Sequence, residues 1–329
     1  MDENNYSYER MTPMPIDFSN LVVAFQAVVP MFCLMFIGVM VKYFDLLNAA
    51  ELKRVNRMVF RVFFSIMMFY NLYTTNIATT FRPRLIAFAL GALAVVYICA
   101  FAAVCFTEKT PKRRGAMIQA IYRSNFVLMG IPLIANLFGD DNIAVTTMMV
   151  AVVVPIYNVL GVFTLEFFRG GRVSYPHLFL DVLKNPMILG ALTGAAFLLL
   201  GIPVPKPVLR PLAQITAATT PIALIILGAS FRLGSTKEHK SQLVACVFSR
   251  LVLIPGIVLT AAMWLGFRGM EFATLISIFA TPCAVAGFVM AQQMDSDADL
   301  AGNCVVFTSA LSCLTIFCWI VLFKELGVL

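Results

Sequence analysis

Ten stretches of about twenty mostly apolar residues run through this chain, at 20–41, 56–76, 84–106, 115–137, 143–165, 180–200, 208–230, 243–265, 272–293 and 301–323. Each is long enough to cross the roughly 30 Å hydrocarbon core of a bilayer as a helix. Lipid offers no partner to a backbone N–H or C=O, so only helices and closed barrels can span it. Alternation of period two is absent over these stretches, which leaves helices. The balance of residues agrees: 60% are hydrophobic and 12% charged, about half the charge of an average soluble domain. The chain reads as an all-α polytopic membrane protein with ten spans.

The basic residues fix an orientation. Lys and Arg in the connections after spans 1, 3, 5, 7 and 9 number twelve, against five on the other side with both ends of the chain included. The positive-inside rule then puts both termini outside, in a cell (plasma or inner) membrane. The net charge of +7 is spread by loop and forms no stripe, so no nucleic-acid partner is expected. The run Lys109–Arg114 is expected to be a solvated inside turn. Residues 1–19 are polar and acidic, without a basic leader, so no cleaved signal peptide is expected. All eight cysteines fall in apolar spans without a C-x-x-C pair, and neither a disulfide framework nor a metal site is indicated. No cofactor is expected.

The connection 166–179 divides the chain into a first unit, 20–165, and a second, 180–323. Shifting the first by 157 residues lays spans 1, 3, 4 and 5 on spans of the second within about three residues, and Gly130 meets Gly287. Five is an odd number, so the second unit enters the membrane the other way up. Such inverted repeats are typical of secondary transporters with a midplane site between broken helices.

Two spans carry the interruptions. Span 4 reads Arg123-Ser124-Asn125-Phe126-Val127-Leu128-Met129-Gly130-Ile131-Pro132, and span 9 reads Thr281-Pro282-Cys283-Ala284-Val285-Ala286-Gly287. Proline removes one N–H and clashes with the carbonyl four residues back; a simple lipid-facing kink is the alternative for span 4. Asn125 and Pro282 both lie roughly 15 Å deep, arriving from opposite faces. Helices 4 and 9 broken at one depth could cross there, each following half-helix aiming free N–H groups and partial positive charge at the centre. That suits a carboxylate.

Several residues bear on this site. Arg123 is deep enough to pair with a substrate carboxylate, or else it snorkels or holds Glu166. Asn125 favours substrate contact over helix–helix bonding. Tyr157 and Asn158, after Pro155 in span 5, complete the pocket with Gly130, Pro132, Pro282, Cys283 and Gly287. Arg61 and Arg250 are shallower and are expected to snorkel. No Asp or Glu falls in the central third of any span, so a carboxylate proton relay has no candidate.

The stretches Val55-Asn56-Arg57, Asn125…Met129-Gly130-Ile131-Pro132-Leu133, Lys184-Asn185-Pro186, Thr220-Pro221-Ile222-Ala223-Leu224 and Pro282…Phe288-Val289-Met290-Ala291 resemble the auxin efflux carrier family, PIN-formed carriers and bacterial malonate or malate permeases included. The resemblance covers essentially the whole chain. It implies a scaffold of spans 1, 2, 6 and 7 that often forms a homodimer contact. It also implies a transport domain of spans 3–5 and 8–10 and elevator-like exchange of access. The family's substrate-facing asparagine falls on Asn125 and its span 9 proline on Pro282. Gly287 and Ser65 stand where the family carries further prolines, and no long loop follows span 5.

The expected function is therefore a secondary transporter of small organic anions, mono- or dicarboxylates. The competing readings are a sodium-coupled symporter of the bile-acid type and a ligand sensor without flux. An intramembrane enzyme would need a base, nucleophile or metal cluster at depth, which the spans do not supply.

Overall fold

The computed structural model describes residues 19–74, 82–139, 143–169, 175–232 and 234–329, with side chains throughout these except at 19–24, 26–27, 175–179 and 235. The N-terminal segment, Asn76, the Asp140-Asp141 turn and Gly170-Gly171-Arg172 lie outside the described residues. In chain order the helices are α1 (Ser19–Tyr43), α2 (Ala49–Met58), α3 (Phe64–Tyr73), α4 (Pro83–Thr107), α5 (Pro111–Tyr122), α6 (Phe126–Phe138), α7 (Ala144–Phe167) and α8 (Tyr175–Lys184). They continue with α9 (Pro186–Leu199), α10 (Lys206–Ser230), α11 (Ser235–Glu238), α12 (Lys240–Phe248), α13 (Ile254–Trp264), α14 (Gly269–Phe279), α15 (Val285–Gln293) and α16 (Ala298–Glu325). Wider π-helical turns, Val59–Phe63 and Ser249–Leu253, join α2 to α3 and α12 to α13. No strand occurs among the described residues.

Local chemistry sets several boundaries. The Asn48 side chain accepts from the N–H groups of Ala50 and Glu51, and the Glu51 carboxylate accepts from the N–H of Asn48. This reciprocal cap starts α2. Pro83, Pro111 and Pro186 stand in first turns, where a missing N–H costs nothing. Pro255 has no N–H to give the Leu251 carbonyl four residues back, and Trp319 Nε1 donates to that carbonyl instead, at 3.0 Å. In the other π turn, Ser65 Oγ donates to the Arg61 carbonyl at 2.8 Å.

Among the described residues, five helical stretches are long and apolar enough to cross a membrane: Pro83–Thr107, Ala144–Phe167, Lys206–Ser230, Lys240–Trp264 and Ala298–Glu325. Shorter apolar helices include Phe126–Phe138, Pro186–Leu199 and Gly269–Phe279. Large apolar side chains such as Ile98, Phe106, Ile257 and Leu314 point outward. In water that surface would be a liability, whereas lipid covers it at no cost. The protein is an α-helical membrane protein.

The most extensive contacts join α1 to α10 and α3 to α9. Both pairs pack backbone on backbone. A Cβ on Gly38 would collide with the Ile225 carbonyl, and one on Gly228 with the Met35 carbonyl. Gly190 and Gly194 lie in the same way against the backbone of Ser65 and Phe69. Without a hydrophobic drive between helices in lipid, such close approach is a main source of adhesion. Gly228→Leu is expected to lower the melting temperature in detergent sharply, at a cost of about 3 kcal/mol or more, because backbone cannot repack as a side chain can.

The two ends of the bundle are tied differently. At one end Lys42 Nζ donates to the Phe231 carbonyl at 2.9 Å, Lys112 pairs with Asp295 at 2.7 Å, and Asp297 receives Arg113 at 3.6 Å and His239 at 3.1 Å. The Lys109–Arg114 run, expected to be solvated, is thus partly engaged: Arg114 also donates to the carbonyls of Glu108 and Cys105. At the other end Arg82 approaches Glu271 at 3.9 Å, Val204 N–H donates to Tyr73 Oη, and Gly269 N–H donates to the Val328 carbonyl.

Glu108, just past the end of α4, tests the first network. Burial alone would raise its carboxyl, but hydrogen bonds from Thr110 and Gln242 and the nearby Arg113 charge outweigh this and hold it below the usual glutamate value of 4.5. A depressed folded pKa adds stability above the unfolded value, and that increment is lost as pH falls through the folded one. Wild type should therefore melt above Glu108→Gln at pH 7, and the gap should close on acidification below pH 4.5.

Candidate functional site

The helix breaks fall where α5 gives way to α6 and α14 to α15. Residues 123–125 and 280–284 leave the helical path, and the two segments pair as a short antiparallel bridge between Ser124 and Cys283. Asn125 N–H donates to the Pro282 carbonyl at 2.8 Å, and Ala284 N–H donates to the Arg123 carbonyl at 3.3 Å. Each segment thereby supplies the partners that the other lost on leaving the helix, which is the condition for broken helix at membrane depth. Neither α6 nor α15 has a side-chain cap at its N-terminus. Both half-helices point uncapped, partly positive starts at the junction.

Arg123 is 4% exposed. Its Nη2 donates to Asn158 Oδ1 at 2.5 Å, and its Nη1 donates to Met290 Sδ at 2.9 Å and faces Gln119 Oε1 at 3.5 Å. It neither snorkels nor holds Glu166, which pairs with Arg169 at 3.0 Å. Its partners are neutral: no carboxylate pairs with it among the described residues. Tyr157 joins through its hydroxyl, 3.1 Å from Ser124 Oγ, while its carbonyl accepts from Tyr122 Oη. Asn158 Nδ2 donates to Met68 Sδ at 2.7 Å and to the Val154 carbonyl. Asn125 Nδ2 faces Met31 Sδ at 4.0 Å.

Of the residues singled out in the sequence, Arg123, Asn125, Tyr157, Asn158, Pro282 and Cys283 gather at this junction. Cys283 Sγ donates to the Ala120 carbonyl, and its N–H donates to Thr308 Oγ1. Gly130 and Pro132 do not cause the break. Both lie inside α6, past its first turn. Gly130 is packed against Ser277, and Pro132 borders a cavity of about 190 Å³ between α1, α6 and α10, whose far wall includes Met31 and Pro221. Gly287 sits on α15 opposite Gln119, whose Oε1 would be 3.6 Å from an added Cβ.

A second cavity, of about 640 Å³, opens at the end bearing Lys42 and Asp297. It is lined by charged and amide groups, Gln292 among them, and stops at Phe288. Phe288 also borders the small void beside Gln119, Cys283 and Gly287. The paired breaks thus lie between two separate cavities, with Met31 toward one and Phe288 toward the other.

Three participants escaped the sequence reading. Gln119 is buried and its Nε2 has no hydrogen-bond partner among the described residues, an open donor beside Arg123. Ser124 bridges to Tyr157. Arg250, expected near the membrane surface, is fully buried, and its guanidinium reaches the backbone of both breaks. Pro255, one turn beyond it, was the available signal for an altered helix there.

Comparison with known proteins gives matches along most of the chain. Residues 23–320 match the family described as membrane transport protein. An uncharacterized transporter of Methanothermobacter thermautotrophicus is 22% identical over 299 residues, covering 89% of this chain and 96% of the relative. An uncharacterized transporter of Methanocaldococcus jannaschii is 19% identical over 296 residues, covering 87% and 94%.

Proposed function

Because the chain belongs to the membrane transport protein family, that of the auxin efflux carriers, we propose that it is a secondary transporter of small organic anions, carboxylates above all, which bind where the two broken helices meet. The observation that carries this reading is the buried Arg123 with only neutral partners, set beside two uncapped helix starts and the open Gln119 donor. A buried cation without a counter-charge is costly. An arriving carboxylate would offset that cost, and backbone N–H groups at helix starts suit the same ligand.

The proposal extends to the architecture. Ten spans follow if α2–α3, α5–α6, α8–α9, α12–α13 and α14–α15 each make one crossing. The contacts at the two ends support this: connections after odd spans meet one another, through Lys42, Lys112 and His239, and those after even spans meet through Arg82 and Tyr73. An inverted repeat would exchange span 1 with 6 and 2 with 7, turning the α1–α10 pair into the α9–α3 pair. These are the two glycine-packed pairs. In this reading spans 1, 2, 6 and 7 are a fixed scaffold, meeting a second copy, and the rest is the moving part, with both termini outside the plasma membrane. The boundary between the two parts is crossed by asparagine–thioether contacts, Asn125 to Met31, Asn158 to Met68 and Asn185 to Met294. The thioether is a weak acceptor, and the buried Asn56 Nδ2 also donates to the Val289 carbonyl across the same boundary, at 3.3 Å.

The test is a thermal-shift screen of mono- and dicarboxylates on purified protein, followed by uptake into proteoliposomes. Stabilisation by a carboxylate that is absent in Asn125→Ala is the expected result. Equal shifts in both proteins would remove Asn125 from the site, and no shift by any carboxylate would remove the anion reading. Replacing sodium by potassium should leave uptake unchanged.

A further inference from the structure

Arg250 makes no contact that the anion reading requires, yet it is among the largest fully buried side chains of the described residues. Its Nε donates to the Thr281 carbonyl at 2.8 Å and its Nη2 to the Ile278 carbonyl at 2.9 Å, at the C-terminal end of α14. Its Nη1 lies 3.3 Å from both the Ile121 and the Tyr122 carbonyls, at the C-terminal end of α5. One guanidinium therefore reaches the last carbonyls of both first half-helices. These are the acceptors that lose their intrahelical donors when a helix stops, and each helix end carries about half a negative charge. The planar five-donor fork of arginine suits this double duty, and a lysine ammonium could not reach both ends in one geometry.

The helix that carries it is shaped for the purpose. Arg250 stands on the π turn Ser249–Leu253, ahead of Pro255, and Trp319 satisfies the Leu251 carbonyl that the proline leaves without a donor. The wider turn shifts the register of the side chains that follow α12, and π turns recur at functional sites.

We propose that Arg250 is the positioning residue of the junction: it ties the two breaks to a third helix and neutralises their negative ends. The positive starts of α6 and α15 then dominate the face offered to a ligand. The clamp itself is independent of what is carried; only its effect on anion affinity rests on the function proposed above.

The experiment reads the clamp without a ligand. Cys283 lies in the second break, buried, and Cys246, one turn before Arg250 on the same side of its helix, is a buried internal control. N-ethylmaleimide labelling of the whole protein, quantified peptide by peptide by mass spectrometry, should leave both protected in native wild type and label both once the protein is denatured in SDS. In Arg250→Gln the labelling rate of Cys283 should rise at least tenfold with Cys246 still protected, and Arg250→Lys should give a smaller rise confined to Cys283. An unchanged Cys283 rate in either folded variant, or equal rises at Cys283 and Cys246, would overturn the clamp. If Arg250→Gln does not fold, the lysine variant decides alone by the same comparison. Melting shifts induced by malonate on the same samples separate the two claims. No shift in wild type counts against anion carriage and leaves the labelling to judge Arg250, whereas a wild-type shift that survives intact in a clamp-free variant overturns the electrostatic half of the proposal.

Discussion

Arg123→Gln should abolish carboxylate-induced stabilisation and cut uptake by on the order of a hundredfold, the usual scale for removing one member of a buried, hydrogen-bonded charge pair. Its effect on folding should run the other way. Arg123 rests on Asn158, Met290 and Gln119, all neutral, so glutamine orphans no charge and removes a desolvation cost. The melting temperature of the ligand-free variant should equal or exceed that of wild type. Stability held against function in this way marks a ligand-facing group. A variant that melts earlier and still takes up carboxylate at the wild-type rate would make Arg123 a structural strut instead.

The two glycines that match across the halves should part company on substitution. A Cβ on Gly130 would lie 2.7 Å from Ser277 Cβ, in the seam between α6 and α14. Helix must move from helix to admit it. Gly130→Ala is expected to cost about 1–3 kcal/mol and to disturb the paired breaks one turn away, with a large loss of uptake. Gly287→Ala meets only Gln119 Oε1, at 3.6 Å, an ordinary contact with a side chain that can yield. It should melt and transport within twofold of wild type. Melting curves and initial uptake rates on the pair check this, and equal losses would show that the junction tolerates no added methyl at either place.

How much of this could be read in advance depends on whether the cause is local. The apolar runs record the demand of lipid residue by residue, so the membrane character and most helix limits are legible. The breaks are legible too, because amide and proline at matched depth conflict with any continuous lipid-facing helix. Asn125 and Pro282, singled out for this, do fall within the observed breaks; how far each break extends is less legible. Gly130 and Pro132 drew attention by their intrinsic effect on helices, yet both are accommodated inside α6. What holds residues 123–125 out of the helix is the Pro282 carbonyl and the Arg123–Ala284 bond, contacts made across the fold.

Arg250 was misplaced for a related reason. The apolar run that contains it begins at 243, which sets it shallow, whereas the helix itself begins at Lys240 and places it roughly 15 Å along. Its partners are carbonyls, which every residue owns and no residue type advertises. Gln119 was passed over because one amide near a basic turn reads as surface; only burial and its unpartnered Nε2 give it meaning.

The plugs at either side of the junction carry a consequence for the membrane around it. Met31 lines one hollow and Phe288 lines the other, while the backbone bridge joins Ser124 and Cys283. This arrangement is expected to hold back water and protons. Vesicles packed with this protein should hold a proton gradient as long as empty ones do, so a cell can keep many copies idle without paying in leakage.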